Sequence, residues 1–326
     1  MISFEDMPEI TKGLAKVNEH IERLCQSNNA SMQKVIDWVL AARGKQIRPI
    51  LTLLCSKLKE KKKDASEMAA VVEIAHTASL IHDDVIDNAD ERRGQMTVHN
   101  KFGREMAVYA GDFMIFVTLG RTNLRSKPWY KDMFQNLEVM CDGELAQFDN
   151  QYNVDISEEQ YVSNIIGKTS SMFRIACVSG AHVGGCDETE RYAVGEYATY
   201  FGLLFQMRDD LMDFVSTNKV SLKTVHNDFK FGYYTLPAIY TFANAEYGDE
   251  LREYARLAKE GRFDEVDDDK ISEIIAAAGG FTYAYGKIRK YAASAIDSLA
   301  CMPDTKYRRK LEELIQYLVE TTPQGL

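Results

Sequence analysis

Two clusters of aspartates stand out because each gathers three carboxylates within five residues. They are Asp83, Asp84 and Asp87 in one cluster and Asp209, Asp210 and Asp213 in the other. On a helix, residues four apart lie on the same face one turn apart, so the first and last carboxylates of each cluster can share a cation. Carboxylate oxygens suit hard ions such as Mg²⁺ or Mn²⁺. A solvated helix end is the alternative for one cluster alone, but two clusters with the same spacing favour two metal sites.

A di-iron centre is a second alternative, because Glu73 and His76 form an E-x-x-H pair on an apolar helix. Such centres use this motif twice. The remaining histidines, none of which follows a glutamate by three positions, are His20, His82, His99, His182 and His226. The ligand count therefore excludes the di-iron site.

Several cations accompany the acids. Lys45 and Arg48 precede Pro49, which suits the first turn of a helix whose amides would face an anion. The other candidates are Arg92 and Arg93 after the first cluster, Lys168 beside Thr169, and Lys223 after the second cluster. Each alone is typical of a solvent-exposed loop. Together with the acids they predict a diphosphate site.

The elements that must position these residues are helices, since apolar residues recur with helical spacing and strand-like alternation is hard to find. The predicted helical segments are 5–24, 32–42, 50–58, 65–86, 105–119, 130–148, 157–183, 188–214, 234–243, 250–259, 271–278, 283–299 and 306–319. We therefore predict an all-α fold of about a dozen helices. Because no Gly/Ser/Pro-rich linker interrupts the chain, we expect one domain over residues 1–326. The Lys57–Asp64 charge run is typical of a solvated loop.

Composition excludes several classes of function. The net charge of −10 and a pI near 5.2 argue against nucleic-acid binding, which needs a basic face. No apolar run is long enough to span a membrane, and the N-terminus does not resemble a signal peptide. Six scattered cysteines without a C-x-x-C pair suggest neither a zinc knuckle nor a disulfide framework, so we expect a reducing, cytoplasmic location.

From about residue 40 to about residue 240, the chain resembles the trans-polyprenyl diphosphate synthases. The motifs that carry the resemblance, in the family's order, are GKQIRP, HTASLIHDDVID, ADERRG, GDF, GE-x-x-Q, KT, FQMRDDLMDF and TLP. The resemblance implies antiparallel helices around a central cavity, with the two aspartate clusters facing each other across it. It also implies a homodimer, three Mg²⁺ ions, and a condensation of isopentenyl diphosphate with an allylic diphosphate. Release of the product could involve peripheral contact with a membrane.

The resemblance also implies roles for individual residues. Asp83 and Asp87 would ligate two ions, and Asp84 would support them. Asp209 would ligate the third ion directly, and Asp213 would bind it through a water molecule. The residues similar to those that grip the allylic diphosphate are Arg92, Lys168 and Lys223. Those similar to the isopentenyl diphosphate site are Lys45, Arg48, His76 and Arg93. Gln206 and Thr169 match positions near the developing carbocation.

The length of the isoprenoid product can be partly predicted from the sequence, because residues one and two turns before Asp83 point along the cavity in which the product would grow. These are the small residues Ala75, Ala78 and Ser79. Family members with bulky aromatics there make short products, so we expect roughly thirty to forty carbons. On the next helix, the candidates for the cavity floor are Phe113, Met114, Phe116 and Val117, although such spacing is also typical of plain core.

The segment after the second cluster departs from the family pattern. Leu222 replaces a usual glycine, Tyr233 replaces a usual lysine, and Phe231 is also atypical, while Lys219 is a candidate substitute cation. A terpene cyclase is disfavoured because its second metal motif differs and it needs no isopentenyl site. A short-chain synthase making farnesyl or geranylgeranyl diphosphate, and a non-catalytic or partner-dependent subunit, stay open as alternatives.

Overall fold

The computed structural model describes residues 4, 6–60, 63–122, 130–215 and 227–323. The chain divides into two compact units, each built from separate stretches of sequence. Unit 1 comprises Met1–Phe134, Arg174–Val194 and Met302–Arg309, and unit 2 comprises Gln135–Phe173, Gly195–Cys301 and Lys310–Leu326. The expectation of a single domain stays a prediction.

Unit 1 contains the helices of the N-terminal part of the chain. They are α1 (Pro8–Leu24), α2 (Ala30–Ala41), α3 (Ile47–Cys55), α4 (Ser66–Ile86), α5 (Val98–Phe102) and α6 (Arg104–Gly120). Between α4 and α5 lies a short antiparallel ribbon, β1 (Glu91–Arg92) and β2 (Gln95–Met96). Helix α4 packs against α1, α3 and α6, so it is the central element of this unit.

Unit 2 contains most of the helices of the C-terminal half. They are α8 (Glu158–Ile165), a π-helix (Ile166–Ser170), α11 (Asn227–Lys230), α12 (Leu236–Phe242), α13 (Gly248–Lys259), α14 (Asp268–Ala277) and α15 (Gly280–Ser298). Four further helices each contribute residues to both units: α7 (Tyr130–Asp149), α9 (Ser171–Gly184), α10 (Glu188–Asp213) and α16 (Lys306–Glu320). Short 3₁₀ turns cover Phe263–Glu265 and Leu299–Cys301.

Local sequence explains where several helices begin. The Asn29 side chain accepts hydrogen bonds from the backbone N–H groups of Ser31 and Met32 at the start of α2. Ser157 and Gln160 form a reciprocal capping box at the start of α8. These side chains satisfy backbone donors that would otherwise lack partners in the first helical turn.

The apolar spacing explains which faces are buried. In α1, for example, Ile10, Val17, Ile21 and Leu24 lie on one stripe and are all buried. The all-α prediction is confirmed, and the helix bounds agree with the predicted segments to within a few residues. None of the helices in the described part of the chain is both long and apolar enough to cross a membrane.

Three features were not predicted: the ribbon, the one-turn helices α5 and α11, and the π-helix inside the segment predicted as one helix over 157–183. The ribbon strands are two residues long, so they are too short to show alternation. A π-helix differs from an α-helix only in its hydrogen-bond register, which the spacing of apolar residues does not reveal.

Candidate functional site

The first aspartate cluster lies at the C-terminal end of α4. Asp87 caps the helix, and its backbone N–H donates to the Asp83 carbonyl at 2.8 Å. Asp83 is half-buried and Asp87 is exposed. A helix C-terminus carries a partial negative charge, so carboxylates placed there are destabilising unless a cation joins them. The position of this pair therefore favours a bound cation.

Asp84, the middle member, has a different environment. It is 4% exposed, and one of its carboxylate oxygens accepts a hydrogen bond from Arg92 Nε at 2.6 Å. Burial raises the pKa of Asp84, and the Arg92 guanidinium opposes that rise. Direct ligation of a metal by Asp84 stays a prediction. What the structure shows is a buried carboxylate that holds Arg92 beside the cluster.

Arg92 and Arg93 are presented by the β1–β2 ribbon. Arg92 pairs with Gln95 across the ribbon, and Arg93 and Gly94 form its two-residue turn with φ values of 57° and 74°. Positive φ at both turn positions matches the right-handed twist of a hairpin. The Arg93 side chain donates to the Ala42 carbonyl at 3.2 Å.

Gly44 explains why Arg93 fits at this place. A Cβ atom at Gly44 would lie 2.4 Å from the Arg93 guanidinium carbon, which is closer than real atoms approach. The glycine of the GKQIRP motif therefore makes room for an arginine 49 positions further along the chain. Sequence spacing alone could not have predicted this contact.

His76 lies at the centre of the predicted isopentenyl diphosphate residues. Its Nε2 is 2.8 Å from an Arg48 Nη, so the ring nitrogen accepts and the guanidinium donates. Burial, followed by the charges of Arg48, Arg93 and Arg92, lowers the pKa of His76 well below its usual value. Burial and the three guanidinium charges therefore all disfavour a second proton on the imidazole.

Arg48 itself is affected by the same environment. Burial lowers its pKa to about 10, the Glu73 carboxylate raises it and Arg93 lowers it. Glu73 is 6% exposed, and burial raises its pKa against the pull of Arg48 and Arg93. Lys45, in contrast, is exposed at the start of α3. The structure thus brings Arg48, His76, Arg92 and Arg93 together.

The residues predicted to control the length of the isoprenoid product lie on α4 and α6. Ala78 is fully buried, Ala75 is half-buried, and the Ser79 hydroxyl donates to the His76 carbonyl at 2.9 Å. On α6, Met114 and Val117 are buried. Phe113 is half-buried with the Arg121 guanidinium 5.5 Å from its ring centre, whereas Phe116 is 62% exposed.

In unit 2, Lys168 and Thr169 lie within the π-helix. Lys168 Nζ is 2.9 Å from a Glu144 carboxylate oxygen on α7. A Cβ at Gly143 would lie 2.5 Å from the Lys168 backbone nitrogen and 2.6 Å from Gly167 Cα, so two glycines allow these backbones to touch. Single π-helical turns within α-helices are frequent at functional sites. Glu144 belongs to the GE-x-x-Q motif, but its ion pair with Lys168 was not predicted from the sequence.

The second cluster is supported by a hydrogen-bond chain. Thr169 Oγ1 donates to Gln206 Oε1 at 3.0 Å, and Gln206 Nε2 donates to Asp210 at 2.8 Å. The hydroxyl of Tyr161 donates to the other Asp210 oxygen at 2.6 Å. Burial and the neighbouring Asp228 raise the pKa of Asp210 to about 7 despite these donors.

The outer members of this cluster lie beside another acid. Asp209 pairs with Arg208 at 3.1 Å, and the Asp228 backbone N–H donates to Asp213 at 3.4 Å. Burial and the charge of Asp213 raise the pKa of Asp228 to about 6, although Lys168 opposes the rise. Crowded carboxylates with raised pKa values favour a nearby cation. Lys219, Leu222 and Lys223 lie outside the described residues.

The carboxylates of each cluster supply only part of the ligand shell that a divalent ion needs. Among the residues that the structure describes, no group of three His, Cys, Asp or Glu side chains could hold a metal ion by itself. Paired carboxylates do suit Mg²⁺ when water and substrate phosphate oxygens complete its shell. The residues therefore fit an ion bound together with a phosphorylated substrate.

An all-α enzyme with two aspartate clusters, grouped arginines and a lysine in a π-helix has the groups needed to act on diphosphates. Comparison with known proteins identifies the family. The polyprenyl synthetase family model matches residues 29–274. The chain therefore belongs to the polyprenyl synthetase family, and it is a prenyltransferase with the isoprenoid synthase fold.

Individual relatives match over nearly their full lengths. The octaprenyl diphosphate synthase of Escherichia coli is 29% identical over 98% of this chain and 99% of its own. Component 2 of the heptaprenyl diphosphate synthase of Geobacillus stearothermophilus is 30% identical over 95% of this chain and 96% of its own. A polyprenyl synthase of Caulobacter crescentus, solved with calcium and isoprenyl diphosphate, is 29% identical with a TM-score of 0.86 over 96% of both chains.

Proposed function

We propose that the chain joins an allylic isoprenoid diphosphate to isopentenyl diphosphate, head to tail, and makes a medium- or long-chain trans-polyprenyl diphosphate. One observation carries this proposal: the charges of Arg48, Arg92 and Arg93 all act on His76, on the helix that ends in the first aspartate cluster. Grouped guanidinium charges repel one another, and a diphosphate would relieve that repulsion with charge-assisted hydrogen bonds.

The isopentenyl diphosphate is assigned to Lys45, Arg48, His76 and Arg93. Arg48 is held in orientation by His76 at 2.8 Å, so its remaining N–H groups are directed without further ordering. Because the pKa of His76 is lowered, its Nε2 accepts from Arg48 while Nδ1 keeps a proton that can be donated. Lys45, which is exposed, adds a further positive charge.

The carboxylates of Asp83, Asp87, Asp209 and Asp213 are assigned to Mg²⁺, with Mn²⁺ as a substitute. When bound, Mg²⁺ supplies positive charge that stabilises the diphosphate as it leaves the allylic carbon. The Caulobacter crescentus relative, solved with calcium and isoprenyl diphosphate, supports a divalent ion. Three ions per site is the count that the family resemblance implies.

In the reaction, the allylic carbon–oxygen bond breaks and leaves a carbocation and a diphosphate. Arg92, oriented by Asp84, and Lys168, paired with Glu144, are assigned to that diphosphate. The double bond of isopentenyl diphosphate attacks the cation, and the adduct loses a proton to the departed diphosphate. Thr169 and Gln206, joined at 3.0 Å, present fixed dipoles toward developing positive charge.

Product length is proposed from the small residues before Asp83. The family resemblance implies that small side chains before the first cluster, here Ala75, Ala78 and Ser79 on α4, favour products of roughly thirty to forty carbons. The names of the octaprenyl and heptaprenyl relatives support the same range.

Product analysis tests this proposal. The purified chain is supplied with farnesyl diphosphate, radiolabelled isopentenyl diphosphate and Mg²⁺, and the products are sized by chromatography. We expect polyprenyl products of about six to eight isoprene units. Products that stop at fifteen or twenty carbons would instead assign the chain to the short-chain synthases.

A second candidate is a partner-dependent subunit, because one relative is named component 2 of its synthase. We favour a homodimer, since Val108, Tyr109 and Phe116 leave an exposed apolar face on α6. Light scattering on the purified chain should then give twice 37.0 kDa, with turnover by the chain alone. A monomer without turnover would favour the partner-dependent alternative.

A further inference from the structure

Glu73 is a buried acid to which the proposed reaction assigns no role. It is 6% exposed and lies on α4 three residues before His76, so the two side chains share one face of the helix. They form the E-x-x-H pair, which occurs once and is therefore not a di-iron site. His76 is 2.8 Å from Arg48, so this face of α4 is directed at the arginines of the proposed isopentenyl diphosphate site.

Glu73 interacts with these arginines through its charge. Burial raises the pKa of Glu73, and the charges of Arg48 and Arg93 oppose that rise, so both guanidinium groups favour the ionised carboxylate. Among the described residues, none donates a hydrogen bond to this carboxylate. Glu73 and Arg93 instead line one small cavity of about 20 Å³, which has room for a single water molecule. Glu73 therefore balances the charge of the arginines without fixing their geometry.

The proposed reaction requires the same arginines to release a diphosphate. The allylic diphosphate departs with the electron pair of its carbon–oxygen bond, the new carbon–carbon bond forms, and a proton goes to the departed diphosphate. The product therefore keeps the diphosphate of isopentenyl diphosphate, which is assigned to Arg48 and Arg93. To serve as the allylic substrate of the next round, the product must move this diphosphate to Arg92 and the first aspartate cluster.

We propose that Glu73 limits how tightly Arg48 and Arg93 hold a diphosphate, and that it thereby favours this transfer between rounds. A carboxylate and a diphosphate are both anions, so they compete for the same guanidinium charges and repel each other. Because Glu73 acts on the site that the diphosphate leaves, its charge makes departure easier. This inference rests on the proposed function, since it assumes that isopentenyl diphosphate binds to these arginines.

Binding of isopentenyl diphosphate to Glu73→Gln tests this role. Isothermal titration calorimetry on the full chain, with EDTA and without an allylic substrate, measures binding in the absence of turnover. Glutamine keeps the shape and removes the charge, so the dissociation constant should fall about threefold or more. An unchanged or higher dissociation constant overturns the inference while the proposed function stands. A wild-type chain that does not bind isopentenyl diphosphate overturns both.

Glu67→Gln is the matched control, because it makes the same change of charge on the same helix. Glu67 pairs with Arg23 at 3.4 Å and is not among the residues that line the cavity. This variant should bind isopentenyl diphosphate with the wild-type dissociation constant. An equal gain of affinity in Glu67→Gln would attribute the effect to net charge and contradict the assignment to Glu73.

Turnover separates transfer of the diphosphate from the chemical step. In a single turnover with saturating substrates, Glu73→Gln should complete the first condensation at the wild-type rate. In multiple turnover, the rate per added isoprene unit should fall at least twofold, because the product diphosphate leaves Arg48 and Arg93 more slowly. A slower first condensation would place Glu73 in the chemical step and overturn the proposal, and so would an unchanged rate in multiple turnover.

Glu73→Met covers the case in which Glu73→Gln does not fold. Methionine has a similar length and no polar group to bury, and apolar side chains often replace buried charges without loss of stability. This variant should show the same fall of about threefold or more in the dissociation constant of isopentenyl diphosphate. An unchanged or higher value in Glu73→Met also overturns the proposal.

Discussion

Asp84 and Arg92 show how one acid of a repeated motif can differ in role from its neighbours. Asp84 is buried and bonded to Arg92 Nε at 2.6 Å, while Asp83 and Asp87 are more open to solvent. Hydrogen bonds between charged groups are among the stronger ones. Removing one member of a buried ion pair is destabilising, because the other charge is left buried without a partner. In the proposed reaction, the role of Asp84 is therefore to position Arg92 toward the allylic diphosphate.

Asp84→Asn keeps the shape but removes the charge that orients Arg92. We expect the KM for the allylic diphosphate to rise about tenfold, with a smaller change for isopentenyl diphosphate. Steady-state kinetics with each substrate varied in turn measures both. Asp90→Asn, at a nearby exposed position, is the control, and an equal loss there would contradict the positioning role.

Much of the candidate site could be predicted from residue types and spacing, but its contacts could not. Four-residue spacing identifies Asp83 with Asp87 and Asp209 with Asp213, because a helix places such pairs on one face. The pairing of Lys168 with Glu144 and the bond from Tyr161 to Asp210 join separate elements, so no local pattern reveals them. The raised pKa of Asp228 depends on its burial, which residue spacing does not reveal.

At the scale of elements, the contact of α4 with α6 positions the first cluster. Gly111 on α6 faces His82, the residue just before Asp83, and a Cβ there would lie 2.2 Å from His82 Nε2. The same nitrogen is 3.3 Å from the Val108 carbonyl and 3.6 Å from Asp112. Because Gly111 has no side chain, α4 and α6 can approach each other closely at the His82 imidazole.

Gly111→Ala should therefore destabilise the fold, because the added methyl group overlaps the imidazole. Overpacking of this kind costs about 1–3 kcal/mol. Gly120→Ala on the same helix is the matched control, since its Cβ would meet nothing within 4 Å. Urea unfolding midpoints compare the two. A control that loses as much stability as Gly111→Ala would disprove the steric explanation.

Helices were predicted well because burial of one face leaves a repeating pattern in the sequence, as in α1 and α15. The β1–β2 ribbon was missed because it is held by contacts with α2. Gln95 donates to the Trp38 carbonyl at 2.9 Å, and Trp38 Nε1 donates to the Met96 carbonyl at 3.1 Å. Such tertiary contacts decide short elements more than their own propensity does.

At the scale of the whole molecule, Glu9 joins segments of unit 1 that are almost 300 positions apart. Its carboxylate accepts a hydrogen bond from Tyr307 at 2.8 Å and lies 2.6 Å from Lys306 Nζ. Burial alone would raise the pKa of Glu9, but these partners outweigh it and lower the value to about 2. The ionised form is therefore favoured in the folded chain.

This shift predicts how stability depends on pH. A lowered carboxylate pKa contributes stability that is complete above the unfolded value, about 4.3, and is lost as the pH falls toward 2. Glu9→Gln should therefore lower the melting temperature at pH 7, and the difference from wild type should shrink below about pH 4. Glu253→Gln, in a solvent-exposed ion pair with Arg256, should change little. A pH-independent difference for Glu9→Gln would refute this linkage.

The central claim is that both aspartate clusters serve one prenyl transfer. Its most direct test is the initial rate of Asp83→Asn and Asp209→Asn under saturating substrates and Mg²⁺, with circular dichroism confirming the fold. Each variant should lose about a hundredfold to a thousandfold in kcat, as for other groups that stabilise a departing charge. Asp297→Asn, an exposed acid, should keep the full rate. A folded Asp83→Asn or Asp209→Asn enzyme with a near-wild-type rate would contradict the account.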